Sequence, residues 1–153
     1  SQFASTGVNI CISGPTAVGK SYIAQAIGHR MCRAGFSTLF YRMNNLIEQF
    51  NLNRAKGTYL NFIKRLSSVD LLIIDDLGIK PLKPNQYQDF YDVIDERGDG
   101  KSLIVTTQLP PENWSEIIDD PVTCEAITDR ITGGAIFLKM KGESYRPKKT
   151  GKV

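Results

Sequence analysis

Short apolar runs alternate along this chain with stretches whose apolar residues recur at helical spacing. Val8-Asn9-Ile10-Cys11-Ile12 is strand-like and stops at Ser13-Gly14-Pro15. From Lys20 to Arg33 the period changes, because Ile23, Ala24, Ile27 and Met31 share one helical face, and Gly35 supplies a C-cap. Ser37-Thr38-Leu39-Phe40-Tyr41 predicts a second strand. Two helices follow, at about 43–53 and 56–67, the second with Tyr59, Phe62, Ile63 and Leu66 on one face. Leu71-Leu72-Ile73-Ile74 is apolar at every position, as in a strand covered on both faces of a parallel sheet. A loop with Pro81 and Pro84, a helix near 85–97 and the turn Gly98-Asp99-Gly100 lead to a fourth strand over 102–107. A helix near 122–132 and a fifth strand over 135–138 complete the pattern. This alternation predicts an α/β fold: a five-stranded parallel sheet with helices on both faces.

Composition narrows the class. At 153 residues, 41% apolar and 23% charged, the chain resembles one globular domain, read as a core over 1–141 and a basic tail over 142–153. No apolar stretch approaches the roughly 20 residues of a membrane span. The first residues lack a basic segment followed by an apolar one, so no signal peptide is visible. With no initial Met and a strand beginning almost at once, the chain reads as a piece of a longer protein. Cys11, Cys32 and Cys124 lie among apolar neighbours without ligand spacing, and read as buried reduced thiols of a cytoplasmic protein. His29 reads as packed or capping on its helix, and Trp114 as a loop anchor. Charge is more informative. The net +3 resolves into +1 over 1–29, +6 over 30–69, −9 over 70–131 and +5 over 132–153. Two basic blocks around an acidic one predict an anionic partner, or copies associating head to tail.

Gly14-Pro15-Thr16-Ala17-Val18-Gly19-Lys20-Ser21 fits G-x-x-x-x-G-K-[ST] at every fixed position, with a strand before it and an amphipathic helix after it. The glycines let the backbone curl so that its N–H groups converge on an anion, and the helix N-terminus adds partial positive charge. Gly14, Pro15, Thr16, Ala17, Val18, Gly19, Lys20, Ser21 and Tyr22 are therefore the predicted ATP-binding set. Lys20 would reach the β- and γ-phosphates, and Ser21 would place its hydroxyl on Mg²⁺. Asp75, at the end of the apolar run, would hold the metal through water, and Asp76 would orient or deprotonate an attacking water. Many P-loop ATPases carry Glu at that second position, so the shorter Asp76 leaves the rate of hydrolysis open but not the role. Thr106-Thr107-Gln108 ends the fourth strand, which in such sheets lies between the first and third. Thr107 or Gln108 is the candidate for contact with the γ-phosphate or the water.

Residues 14–21 combine with Cys32-Arg33-Ala34-Gly35, Val69-Asp70-Leu71-Leu72-Ile73-Ile74-Asp75-Asp76-Leu77-Gly78, Thr107-Gln108-Leu109-Pro110, Asp129-Arg130-Ile131 and Lys141-Gly142-Glu143-Ser144-Tyr145-Arg146. The combination resembles the IstB-like ATPases, the transposition helpers of bacterial insertion sequences. Those are similar to the replicative helicase loader DnaC and belong to the initiator clade of AAA+ proteins. The resemblance covers nearly the whole chain. It implies an ATP-dependent oligomer that binds DNA and works with a transposase, with a helical N-terminal domain that this chain lacks. It also implies that Arg130 is an arginine finger entering a neighbour's ATP site, the alternative being a pairing with the acidic block. Arg146 would be a second nucleotide-sensing arginine, although no sequence is left for a full helical lid. On the helical stretch that initiator-type proteins insert, Arg54, Lys56, Lys64 and Arg65 are the DNA candidates, with Lys80, Lys83 and Lys101 secondary. The expected mode is phosphate contact with little base readout. The rival readings are a replicative helicase loader acting on helicase and single-stranded DNA, a small-molecule P-loop kinase, and a nucleotide-gated scaffold with little turnover.

Overall fold

The computed structural model describes residues 7–16, 19–98 and 100–141. Ala17, Val18, Arg146 and the basic tail over 142–153 lie outside the described residues. Five strands, β1 (Ile10–Ser13), β2 (Thr38–Arg42), β3 (Leu71–Leu77), β4 (Ser102–Thr107) and β5 (Ile136–Lys139), are all parallel and stand in the order β2-β3-β4-β1-β5. The helices between them are α1 (Lys20–Arg33), α2 (Met43–Lys56), α3 (Tyr59–Ser68), α4 (Pro84–Glu96) and α5 (Pro121–Thr132), with a 3₁₀ turn at Pro111–Glu116. The chain leaves β1 toward one edge of the sheet and returns from β4 to the other. That reversal opens a crevice at the carboxyl ends of β1 and β4, where α/β sheets bind ligands.

Strand alternation divides the core into two layers. Ile10, Ile12, Leu71, Ile73 and Ile104 pack against Ala24 and Met31 of α1. Cys11, Leu72, Ile74, Leu103 and Val105 face the other way and meet Leu46 and Phe50 of α2, Phe62 and Leu66 of α3, Phe90 and Val93 of α4, and Ile127 of α5. Each such aliphatic side chain contributes about 1.5–3 kcal/mol when fully buried. The expected α/β sheet with helices on both faces is therefore what the chain forms. β5 differs: it pairs only with β1, at an edge, and its Ile136, Phe137 and Leu138 are exposed.

Helix ends follow local chemistry. α2 runs to Lys56, beyond the expected 53, because Gly57 at φ 74° supplies the left-handed residue that ends it. Asp120 caps α5, its carboxylate accepting from the Thr123 amide at 2.9 Å. Trp114 is buried and its indole N–H donates to the Leu109 carbonyl at 2.8 Å, so it does anchor its loop. Cys11 and Cys124 are buried, but Cys32 is exposed, which corrects the expectation for that thiol. His29 is exposed as well, and both residues line an open cavity with Thr38, Phe40 and Ile73 of the neighbouring strands.

Candidate nucleotide site

β1 and α1 are joined by the glycine-rich loop. Gly14 has φ 153°, and a Cβ there would come within 2.6 Å of the Met140 carbonyl, so only glycine fits. Gly19, at φ 93°, is the N-cap of α1, which has no side-chain cap and no acidic residue in its first turn. The helix therefore presents free amide donors and uncompensated positive potential to an anion. Pro15 and Thr16 are exposed on the loop, and the Tyr22 ring stands 76% exposed beside it. Lys20 is buried, and its ammonium donates to the Pro15 carbonyl at 2.7 Å. Burial pulls the Lys20 pKa down from its ordinary value, while Asp76 and Asp75 act in the opposite direction.

The acids come from β3, two strands away. Asp75 is fully buried and accepts from the Ser21 hydroxyl, with its oxygens at 2.9 and 2.7 Å. Arg42, at the end of β2 and paired in register with Asp75, places Nε 3.9 Å from the carboxylate. Asp76 is half-buried, and its pKa is raised by burial and by Asp75, with the positive charges of Arg42 and Lys20 acting in the opposite direction. It opens onto a cleft of about 540 Å³ between α2 and the β3–α4 loop, with Asn44, Glu48, Lys80 and Lys83 on its walls. Thr106 of β4 touches both acids: its hydroxyl donates to Asp75 and accepts from the Asp76 amide at 2.9 Å. Sequence reasoning missed Thr106 and Arg42. The signal for both was register, since each lies opposite the acid pair on a neighbouring strand.

Thr107 is buried, and its hydroxyl donates to the Leu109 carbonyl at 2.7 Å and accepts from the Leu109 amide at 3.0 Å, with the Trp114 indole 3.4 Å away. A hydroxyl so committed holds a turn, and a contact with the γ-phosphate would have to exchange these bonds. Gln108 beside it is exposed.

Arg130 lies at the other end of the sheet. Asn9, just before β1, donates to the Arg130 carbonyl at 3.1 Å, and the guanidinium pairs with Asp95 at 2.7 Å. Of the basic set on α2 and α3, Lys56, Lys64 and Arg65 are exposed. Arg54 is engaged: it pairs with Asp89, which is 2% exposed, and stacks over the Tyr59 ring at 4.0 Å. These contacts tie α2 to α4 and leave the guanidinium half exposed, so a DNA contact by Arg54 would compete with Asp89. Lys80 and Lys83 are exposed, whereas Lys101 pairs with Asp70 at 3.7 Å.

A strand, phosphate loop and helix, with an acid pair on the second strand along, define a P-loop nucleotide-binding protein of the AAA+ type. Residues 1–153 match the family described as IstB-like ATP binding protein, and the chain belongs to it. An insertion sequence ATP-binding protein of Sinorhizobium fredii is 39% identical over 138 residues, covering 90% of this chain and 56% of that protein. The chain thus spans little more than half the length of that curated relative. Among solved structures, the DnaC helicase loader superposes with a TM-score of 0.78 at 22% identity, over 90% of this chain and 81% of that one. The replication initiator DnaA bound to AMPPCP and single-stranded DNA gives 0.76 at 20%, over 92% and 42%. These two likenesses concern the fold. Among the described residues no helix is long and apolar enough to cross a membrane.

Proposed function

We propose that this chain is the ATPase core of an insertion-sequence transposition helper, working in the cytoplasm. In this reading it binds ATP with Mg²⁺, hydrolyses it, and assembles with other copies on DNA to act on a transposase. The observation that carries the reading is the convergence of Lys20, Ser21, Asp75 and Asp76 at the carboxyl ends of the strands. The Ser21 hydroxyl and the Asp75 carboxylate are the hard oxygen donors that Mg²⁺ takes, so the residues fit that ion. When bound, it would neutralise charge on the β- and γ-phosphates.

The chain's own groups do the rest. Lys20 exchanges the Pro15 carbonyl for phosphate oxygens, a charge-assisted and stronger partnership. Asp76 accepts the proton of the attacking water, a task helped by burial and Asp75, which raise its pKa and so its basicity. Gln108 is the polar side chain left free to contact the γ-phosphate. Arg130 stands at the opposite end of the sheet from the loop of its own chain, which supports delivery to a neighbour's site. Lys56, Lys64 and Arg65 supply phosphate contacts to DNA. The core over 1–141 carries these roles, with the basic tail following it. The relatives' association with insertion sequences favours a transposase over a helicase as partner.

Calorimetric titration with MgATP of the parent and of Lys20→Ala tests the site. Binding to the parent alone is expected; equal affinity in the two proteins would refute it.

A further inference from the structure

We infer that Thr106 is the positioning residue that turns two adjacent acids toward one site. The inference deepens the ATPase reading and rests on it. In a regular strand, neighbouring side chains point to opposite faces, so Asp75 and Asp76 could not both serve the same pocket. β3 escapes this restriction through a bulge. Ile74 pairs with Val105 and Leu77 with Thr107, which leaves both acids opposite the single residue Thr106. At the bulge Asp76 has φ 63°, the one positive φ outside glycine among the described residues, and aspartate is among the few side chains that tolerate it.

A bulge interrupts the ladder, so the Asp76 amide needs an acceptor other than a β4 carbonyl. Thr106 Oγ1 is that acceptor at 2.9 Å. The same hydroxyl donates its one proton to Asp75 Oδ1. The hydroxyl satisfies both at once: the amide gives to it, and it gives to the carboxylate. Thr106 is fully buried, so both bonds are made out of bulk water. One side chain thereby holds the acid beside Ser21 and fixes the backbone that aims the next acid into the cleft. Valine has nearly the same shape and can do neither.

Thr106→Val should bind ATP without metal within about threefold of the parent, because the phosphate loop is untouched, yet lose roughly 100-fold in turnover, the scale of a misplaced general base. Thr106→Ser keeps the hydroxyl and should stay within about threefold of the parent. Thr106→Cys, a weaker donor and acceptor, should fall between them and keeps the test open if the valine variant does not fold. A second readout does not depend on activity. Hydrogen exchange should find the Asp76 amide protected in the parent and in Thr106→Ser, and fast in Thr106→Val or Thr106→Cys. Parent-like turnover and amide protection in the valine or cysteine variant would overturn the inference. So would an equal loss in the serine variant, which would reduce Thr106 to a packing residue. A parent without ATPase activity would instead sink the ATPase reading, and the amide exchange would still decide whether Thr106 holds the bulge.

Discussion

At the carboxyl ends of the strands, Lys20, Ser21, Asp75, Asp76 and Thr106 answer one another within a single charged cluster. At the amino ends, three cations hold local groups, two of them, Arg97 and Lys101, sharing Asp70. Arg97 is largely buried and donates to the carbonyls of Leu66 at 2.5 Å, Ser102 at 2.7 Å and Asp70 at 3.5 Å, tying α3 to the starts of β3 and β4. Burial lowers its pKa to about 10, with Asp70 opposing. Lys101 caps the end of α3 through the Ser68 carbonyl at 2.9 Å. Arg130 pairs with Asp95, and both side chains are about half exposed, a pairing worth no more than about 1 kcal/mol. One end is thus an organised cluster, and the other holds in Arg130 a cation whose own ion pair is half exposed. The proposed sharing of an ATP site between copies rests on that contrast.

The largest effect should come from Asp76→Asn, which keeps the positive φ but removes the base. Turnover should fall about 10²–10⁴-fold with ATP affinity retained, read by steady-state hydrolysis and calorimetry. Retained turnover would remove Asp76 from the chemistry. The parent's activity should fall on its acid side at a higher pH than an ordinary aspartate would give, since the Asp76 pKa is raised. Its stability should respond with the opposite sign. A raised carboxylate pKa means that ionisation costs the fold stability, fully above the folded pKa and not at all below the unfolded value near 3.8. Asp76→Asn should therefore melt higher than the parent at pH 7, and the gap should close as pH falls below about 4.

At the other end, Arg97→Ala should cost about 3 kcal/mol in denaturant unfolding, because three carbonyls lose a charged donor. A loss under about 1 kcal/mol would show that water replaces it. Smaller still, Arg54→Ala should cost about 1–2 kcal/mol by leaving the buried Asp89 without its cation, a value reduced by the half exposure of Arg54 and by the Tyr59 hydroxyl that still donates to Asp89 at 3.0 Å. It should leave the salt dependence of DNA binding unchanged. Lys64→Glu with Arg65→Glu should instead flatten that slope by roughly 0.7–0.9 per lost contact. A slope moved by Arg54 and not by this pair would reverse the assignment.

Much of the first site was legible because its residues are sequential. The phosphate loop occupies eight consecutive positions, and the acids follow an apolar run that could only be an inner strand. Thr106 and Arg42 were hidden because their relation to Asp75 lies across the sheet, in a register that periodicity does not reveal. The bonds of Thr107 were hidden as well: a polar strand end looks the same whether its hydroxyl faces a ligand or closes a turn onto Leu109. Arg54 resembled its exposed neighbours until Asp89, 35 positions later, was seen to hold it. Period and motif locate elements, while partners distant in sequence decide what each charge does.

The central claim, a site on one copy completed by Arg130 of another, is tested most directly by mixing two inactive variants of the full-length protein. Arg130→Ala should bind ATP normally and hydrolyse it about 10³-fold more slowly or worse. Lys20→Ala should bind none, yet keep its arginine. Combined, they should recover part of the parent's turnover, rising with protein concentration, because Lys20→Ala copies lend Arg130 to intact pockets. If the mixture stays as inactive as its components at every concentration, Arg130 is structural and the shared site is wrong.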